Sequence, residues 1–143
     1  MTFLMDADVV MAKVATVRLC LRAIRKVGET DPPLQEWMAQ DLYVLNLQRA
    51  IQACLDLAHH LIGANRFDLP RSAAQAMEIL AREGVIPGAL CATMLAMVGF
   101  RNIAVHEYAA LDPAILRAIV DKHLPDLEAF TARILSLLPA QER

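Results

Sequence analysis

Within eight positions, Arg101-Asn102-Ile103-Ala104-Val105-His106-Glu107-Tyr108, the chain places a guanidinium, a carboxamide, an imidazole, a carboxylate and a phenol. The run ahead of them is apolar, with Leu90, Met94, Leu95, Met97 and Val98. Hydrogen-bonding groups beside a packed apolar run are costly unless they find partners or face solvent. A local break of this kind is where function should be sought. These residue types suit phosphodiester chemistry. Histidine titrates near neutral pH, and can take a proton from a ribose 2′-hydroxyl or give one to a leaving 5′-oxygen. Arginine stays charged and can hold phosphate oxygens as negative charge builds on them. Asparagine can orient either group. No carboxylate cluster or His/Cys set has the spacing of a metal site, so cleavage without a metal is the natural form of this chemistry and no cofactor is expected. On residue types alone it is one option among several.

Spacing sets how these groups can meet. At roughly 100° per residue, Asn102 and His106 share one helix face, and Arg101 and Tyr108 a neighbouring one. Arg101 and His106 diverge by roughly 140° on an ideal helix, so they line two sides of a groove rather than stand in a row. A two-fold axis beside this helix would bring a second such pair alongside the first.

Five helical segments can carry this arrangement, with no strand pattern, repeat or linker competing. The first is expected from about Asp6 to Val27, on a stripe of Val10, Val14, Val17, Leu21 and Ile24, with Gly28 as its stop. The second is expected to start at Asp31-Pro32-Pro33 and to end at Ile62, stopped by Gly63. It is apolar almost all round, through Leu42, Leu45, Leu47, Ile51, Cys54, Leu55, Ala58 and Leu61, which places it at the bundle centre or in a dimer seam. Ser72 with Gln75 reads as a capping box for a short third helix ending before Gly84. The fourth begins near Pro87 and carries the polar segment to about Tyr108; Asp112-Pro113 caps a fifth, bent at Pro125. Short connections make neighbours antiparallel, so the fold class is all-α, an up-and-down bundle in a single domain over residues 1–143.

Composition narrows the setting. Hydrophobic residues make up 57% of the 143 and aromatics 5%, which favours helices over strands and excludes disorder. A mean hydropathy of +0.38 is high for so small a domain, which has too much surface to hide that much apolar side chain alone. The longest apolar stretch, Val85 to Phe100, is interrupted by Pro87 and Gly99 and is shorter than the roughly 20 residues of a spanning helix. Charges through Met1 to Val27 remove the form of a signal peptide. An apolar interface between subunits is therefore expected, with a homodimer or higher oligomer, no membrane, and a cytoplasmic location. The net charge of −2 excludes general nucleic-acid binding by bulk positive charge. Cys20, Cys54 and Cys91 read as buried reduced thiols.

Arg101-x-x-x-x-His106-x-Tyr108 resembles the signature of HepT-like toxins, in the wider HEPN superfamily. Gly84-Val85-Ile86, Met97-Val98-Gly99-Phe100, Leu127 to Phe130, and Leu47-Gln48-Arg49-Ala50-Ile51-Gln52 resemble the family around that signature. The resemblance implies a HEPN-like dimeric bundle and a metal-independent endoribonuclease with its cleft at the dimer interface. It implies Arg101 and His106 as catalytic, with Asn102 in support. It implies a toxin of a type VII-like toxin–antitoxin system, whose MntA-like nucleotidyltransferase antitoxin transfers AMP to Tyr108. Asp41 and Arg49 on the second helix are further residues that could line the cleft.

Plainer roles stand beside these. Tyr108 could anchor a helix end. His59-His60 is assigned to the C-terminal dipole of the second helix rather than to a metal, His123 to the surface, and Gln48, Gln52 and Asp56 to a solvated stripe. The competing function is a non-catalytic helical dimer that binds nucleotide or RNA or scaffolds a nucleotidyltransferase.

Overall fold

The computed structural model describes residues 2–31, 36–106 and 112–143, and the side chains within those ranges other than those at 105, 106, 113 and 119–121. Five α-helices follow one another: α1 (Ala7–Thr30), α2 (Trp37–Ala64), α3 (Ala73–Arg82), α4 (Gly88–His106) and α5 (Pro113–Ser136), with a 3₁₀ turn at Ala140–Glu142. No strand occurs among the described residues. The chain is an all-α bundle, as its periodicity predicts.

Helix α2 is the hub and packs on each of the other four. Its buried side chains, from Tyr43, Val44 and Leu47 through Ile51, Cys54, Leu55 and Ala58 to Leu61, form the spine of one continuous core. The α1 stripe of Val10, Val14, Val17, Leu21 and Ile24 is buried against that core. Tyr43 carries a phenol into the interior, where its hydroxyl donates to the Leu116 carbonyl at 2.6 Å and ties α2 to the first turn of α5. Arg133 Nε donates to the Val85 carbonyl at 2.7 Å, fastening the end of α5 over the α3–α4 turn.

Several helix ends follow from their capping residues. The Asp6 carboxylate accepts from the Asp8 and Val9 amides, and Asp112 accepts from the Ala114 amide. Ser72 Oγ accepts from the Gln75 amide at 3.0 Å, while the Gln75 side chain reaches back to the Arg71 amide. At the end of α3, Gly84 takes a φ of +79° while its N–H and that of Val85 bond back to Ala81 and Leu80. Glycine is the residue such a left-handed turn favours.

Two expected stops lie elsewhere. Gly28 sits inside α1, which runs on to Thr30. A Cβ there would lie 2.9 Å from Arg117 Nη1, the tip of an α5 side chain that donates to the Gly28 carbonyl. Gly63 lies within α2, and the left-handed position that ends this helix is Arg66, with φ +56°. The N–H groups of Arg66 and Phe67 bond back to Gly63 and Ile62, completing the same hydrogen-bonded turn without a glycine. At its other end α2 starts at Trp37; Asp31 accepts from the Glu36 amide, and Pro32 and Pro33 lie outside the described residues. Helix α5 runs through Pro125, which removes one rung of its hydrogen-bond ladder.

Candidate active site

Burial along α4 explains where its cation points. Met94, Met97, Val98 and Ala104 are buried, and Arg101 falls in the middle of that stripe at helical spacing. The backbone therefore leans Arg101 toward α2, where its head meets Gln52 at the exposed edge between the two helices. Its Nη1 donates to Gln52 Oε1 at 2.8 Å, and its Nη2 donates to Asn102 Oδ1 at 2.9 Å. The Nε is buried with no hydrogen-bond partner among the described residues. Both oxygens that hold the guanidinium are neutral amide carbonyls. The charge of Arg101 is thus fixed in place without a described carboxylate cancelling it.

The hydrogen bonds continue away from the site. Gln52 Nε2 donates to Asp56 Oδ1 at 3.0 Å, and Lys13 Nζ on α1 meets Asp56 Oδ2 at 2.8 Å. Burial pushes the Asp56 carboxyl upward, but the hydrogen bonds from Lys13 and Gln52 and the positive charge of Lys13 outweigh it and hold the group below its ordinary range. Gln52 is exposed and Asp56 partly so, as a solvated stripe requires, and the two also link Arg101 to α1.

Asp41 and Arg49 lie on the exposed side of α2. On an ideal helix Asp41, Leu45, Gln48 and Gln52 span about 60°, with Leu42 and Arg49 within about 80° of Gln52. Both suggested cleft residues therefore share a face with the Arg101 anchor. The N-terminal half of that face is apolar: Trp37, Met38, Leu42 and Leu45 are each 50–66% exposed. His106 is the last described residue of α4 and lies outside the description of side chains; Tyr108 lies outside the described residues altogether.

The remaining histidines have local roles. His59 Nδ1 donates to the Leu55 carbonyl at 2.8 Å. His60 Nε2 accepts from the Asp6 amide at 2.9 Å, so it holds the start of α1 rather than serving the C-terminus of α2, which lies further on. His123 Nδ1 meets Asp126 Oδ2 at 2.9 Å on the same helix. No set of three His, Cys, Asp or Glu side chains with the geometry to hold a metal occurs among the described residues.

A family model described as Ribonuclease HepT-like matches residues 17–134, which include α2, α4 and the whole polar segment. The chain belongs to this family. It is similar to the mRNA nuclease HepT of Shewanella oneidensis, with 36% identity over 124 residues, 86% of this chain and 93% of that relative. The HepT-like fold matches a solved structure of the tri-AMPylated Shewanella oneidensis HEPN toxin in complex with MNT antitoxin at TM-score 0.85, with 35% identity and coverage of 90% of this chain and 98% of that one. The cytosolic protein YutE of Bacillus subtilis has the same fold at TM-score 0.85 with 20% identity, over 98% of this chain and 95% of that one. At that identity the likeness concerns the fold alone.

Proposed function

We propose that this HepT-like chain is the toxin of a toxin–antitoxin pair, a metal-independent endoribonuclease acting in the cytoplasm. The observation that carries the reading is the Arg101 guanidinium, fixed by the oxygens of Gln52 and Asn102 with its charge left uncancelled by any described residue. A cation so held suits a phosphate whose oxygens gain charge in the transition state. His106, five residues on in the same signature, supplies the proton transfers. The 2′-oxygen of the RNA attacks phosphorus as its proton leaves to a base, and the bond to the 5′-oxygen breaks as that oxygen gains a proton. A cyclic phosphate and a free 5′-hydroxyl result. Two subunits meeting on the apolar α2 face would place the Arg101, Asn102 and His106 of both in one cleft, with Asp41 and Arg49 along its walls.

Control is proposed at Tyr108. The solved Shewanella oneidensis toxin is tri-AMPylated and bound to an MNT antitoxin, which supports a nucleotidyltransferase partner here and AMP transfer to the motif tyrosine. Tyr108 lies seven residues from Arg101, two helical turns away on nearly the same side if the helix continues. The anionic AMP would compete there with RNA phosphate for the same cation.

Expression of the chain should arrest growth, and His106→Ala should abolish the arrest while leaving the helical fold intact. Co-expression with the nucleotidyltransferase should add mass in steps of one AMP on the peptide containing Tyr108. Arrest that survives His106→Ala would refute the catalytic assignment; an unmodified Tyr108 in the neutralised pair would refute the mode of control.

A further inference from the structure

Arg101 needs two properties that ordinarily conflict. A guanidinium is held most firmly by a carboxylate, but a carboxylate also cancels the charge that a phosphate would use. The residue facing it across the bundle is a neutral amide. Gln52 meets Arg101 at 2.8 Å and Asp56 at 3.0 Å, one helical turn further along α2. The Asp56 carboxylate is in turn matched by Lys13 at 2.8 Å. A line of contacts thus runs from α4 through α2 to α1.

The chemistry of the two neighbours allows Gln52 one orientation. Arg101 can only donate and an ionised Asp56 can only accept. The amide must therefore turn its oxygen to Arg101 and its nitrogen to Asp56, and a flipped amide would lose both bonds. Asp56 is kept ionised by the hydrogen bonds of Lys13 and Gln52 in spite of its partial burial. Its charge stands one amide away from Arg101 and already has a counter-ion.

We propose that Gln52 is the positioning residue for Arg101, holding the guanidinium through a neutral carbonyl so that its charge stays available to RNA phosphate, with the Lys13–Asp56 pair fixing the orientation of the Gln52 amide. The proposal rests on the reading of Arg101 as the phosphate-binding group. Asn102 supplies the second neutral oxygen, from the same helix. Gln52 supplies the one that reaches across the bundle, so it sets the direction of the guanidinium relative to α2.

The test uses the full-length protein, a defined single-stranded RNA of mixed sequence, and four measurements: thermal midpoint, RNA affinity in a His106→Ala background, the salt dependence of that affinity, and kcat/KM with His106 intact. Gln52→Glu supplies a stronger partner for Arg101 but takes its charge. It should weaken RNA binding by about tenfold, and it should lower the thermal midpoint, because the new carboxylate loses the bond to Asp56 and faces its charge. It should also make the slope of log affinity against log salt shallower, by about 0.7 for each phosphate that Arg101 no longer neutralises. The double variant Gln52→Glu/Asp56→Asn restores the wild-type net charge and should remain impaired, because the position of the charge decides the outcome. Gln52→Met, of similar length but with no acceptor, should lower kcat/KM by about tenfold or more, the scale on which a misplaced catalytic group costs rate. Wild-type affinity and salt slope in Gln52→Glu, or wild-type kcat/KM in Gln52→Met, would overturn the positioning role while leaving the ribonuclease reading standing. A wild-type chain that neither binds nor cuts RNA would overturn both.

Discussion

Arg101 owes its role to its place in a helical stripe. Its neighbours at helical spacing are core residues, so the guanidinium stem is drawn inward and its head meets polar groups at the far side of a buried wall. Lysine at this position would keep the charge but lose the planar fork that bonds Gln52 and Asn102 together. The thiols show the opposite use of burial. Burial raises Cys20, although the nearby positive charge of Arg49 pulls it back in part, and burial also raises Cys54 and Cys91. Thiolate is the reactive form, so all three are expected to be inert in the folded protein. Alkylation under native conditions at neutral pH should label none of them, and all three should react after denaturation; rapid native labelling of Cys54 would contradict its place in the core. The signature draws attention to Arg101, whereas its partner on α2 was not readable. Gln52 and Asp56 have the spacing of any solvated helix pair, and only the docking of α4 shows what Gln52 faces.

At the scale of elements, sequence signals succeeded where the cause is local. The Ser72 cap, the Asp112 cap and the Gly84 turn depend on residues within one turn of one another, and each stands where its residues predict. The stops expected at Gly28 and Gly63 were misplaced because both glycines keep helical backbone and neither takes a left-handed φ. The Gly28 carbonyl accepts from Arg117 of α5, a contact 89 residues away in sequence. Helix α2 continues past Gly63 until Arg66 takes the left-handed turn. A side chain in that conformation costs about 1 kcal/mol that glycine does not pay. Arg66→Gly should therefore stabilise the protein by about 1 kcal/mol, read as a higher urea midpoint at unchanged slope. A lower midpoint would show that the arginine side chain stabilises this corner by more than its backbone strain costs.

Large apolar side chains remain exposed at several places among the described residues, Leu4, Leu19 and Leu69 included, and four of them lie on α2. Trp37, Met38, Leu42 and Leu45 lie along the exposed face of α2, continuous with Gln48, Arg49 and Gln52. Helix α2 is both the hub of the bundle and the bearer of an exposed apolar stretch, which is why its sequence is apolar nearly all round. That surface suits a two-fold interface. Leu42→Asp with Leu45→Asp should yield a folded monomer by light scattering and should remove RNA cleavage; an unchanged oligomer would move the interface to another face. The bundle was legible in composition and period. Spacing and family resemblance single out Arg101, Asn102 and His106 as the proposed site, but the contact of Arg101 with α2 was not legible, because no local pattern records which helix faces another.

The central claim is that Arg101 and His106 cut RNA without a metal, and the most direct measurement is cleavage of a defined RNA by purified protein in excess EDTA, with the product ends identified. The account predicts cyclic phosphate and 5′-hydroxyl ends, and a rate lowered by about 10²–10⁴-fold in His106→Ala. Undiminished cleavage by His106→Ala, or none by the wild type until a divalent metal is added, would contradict it.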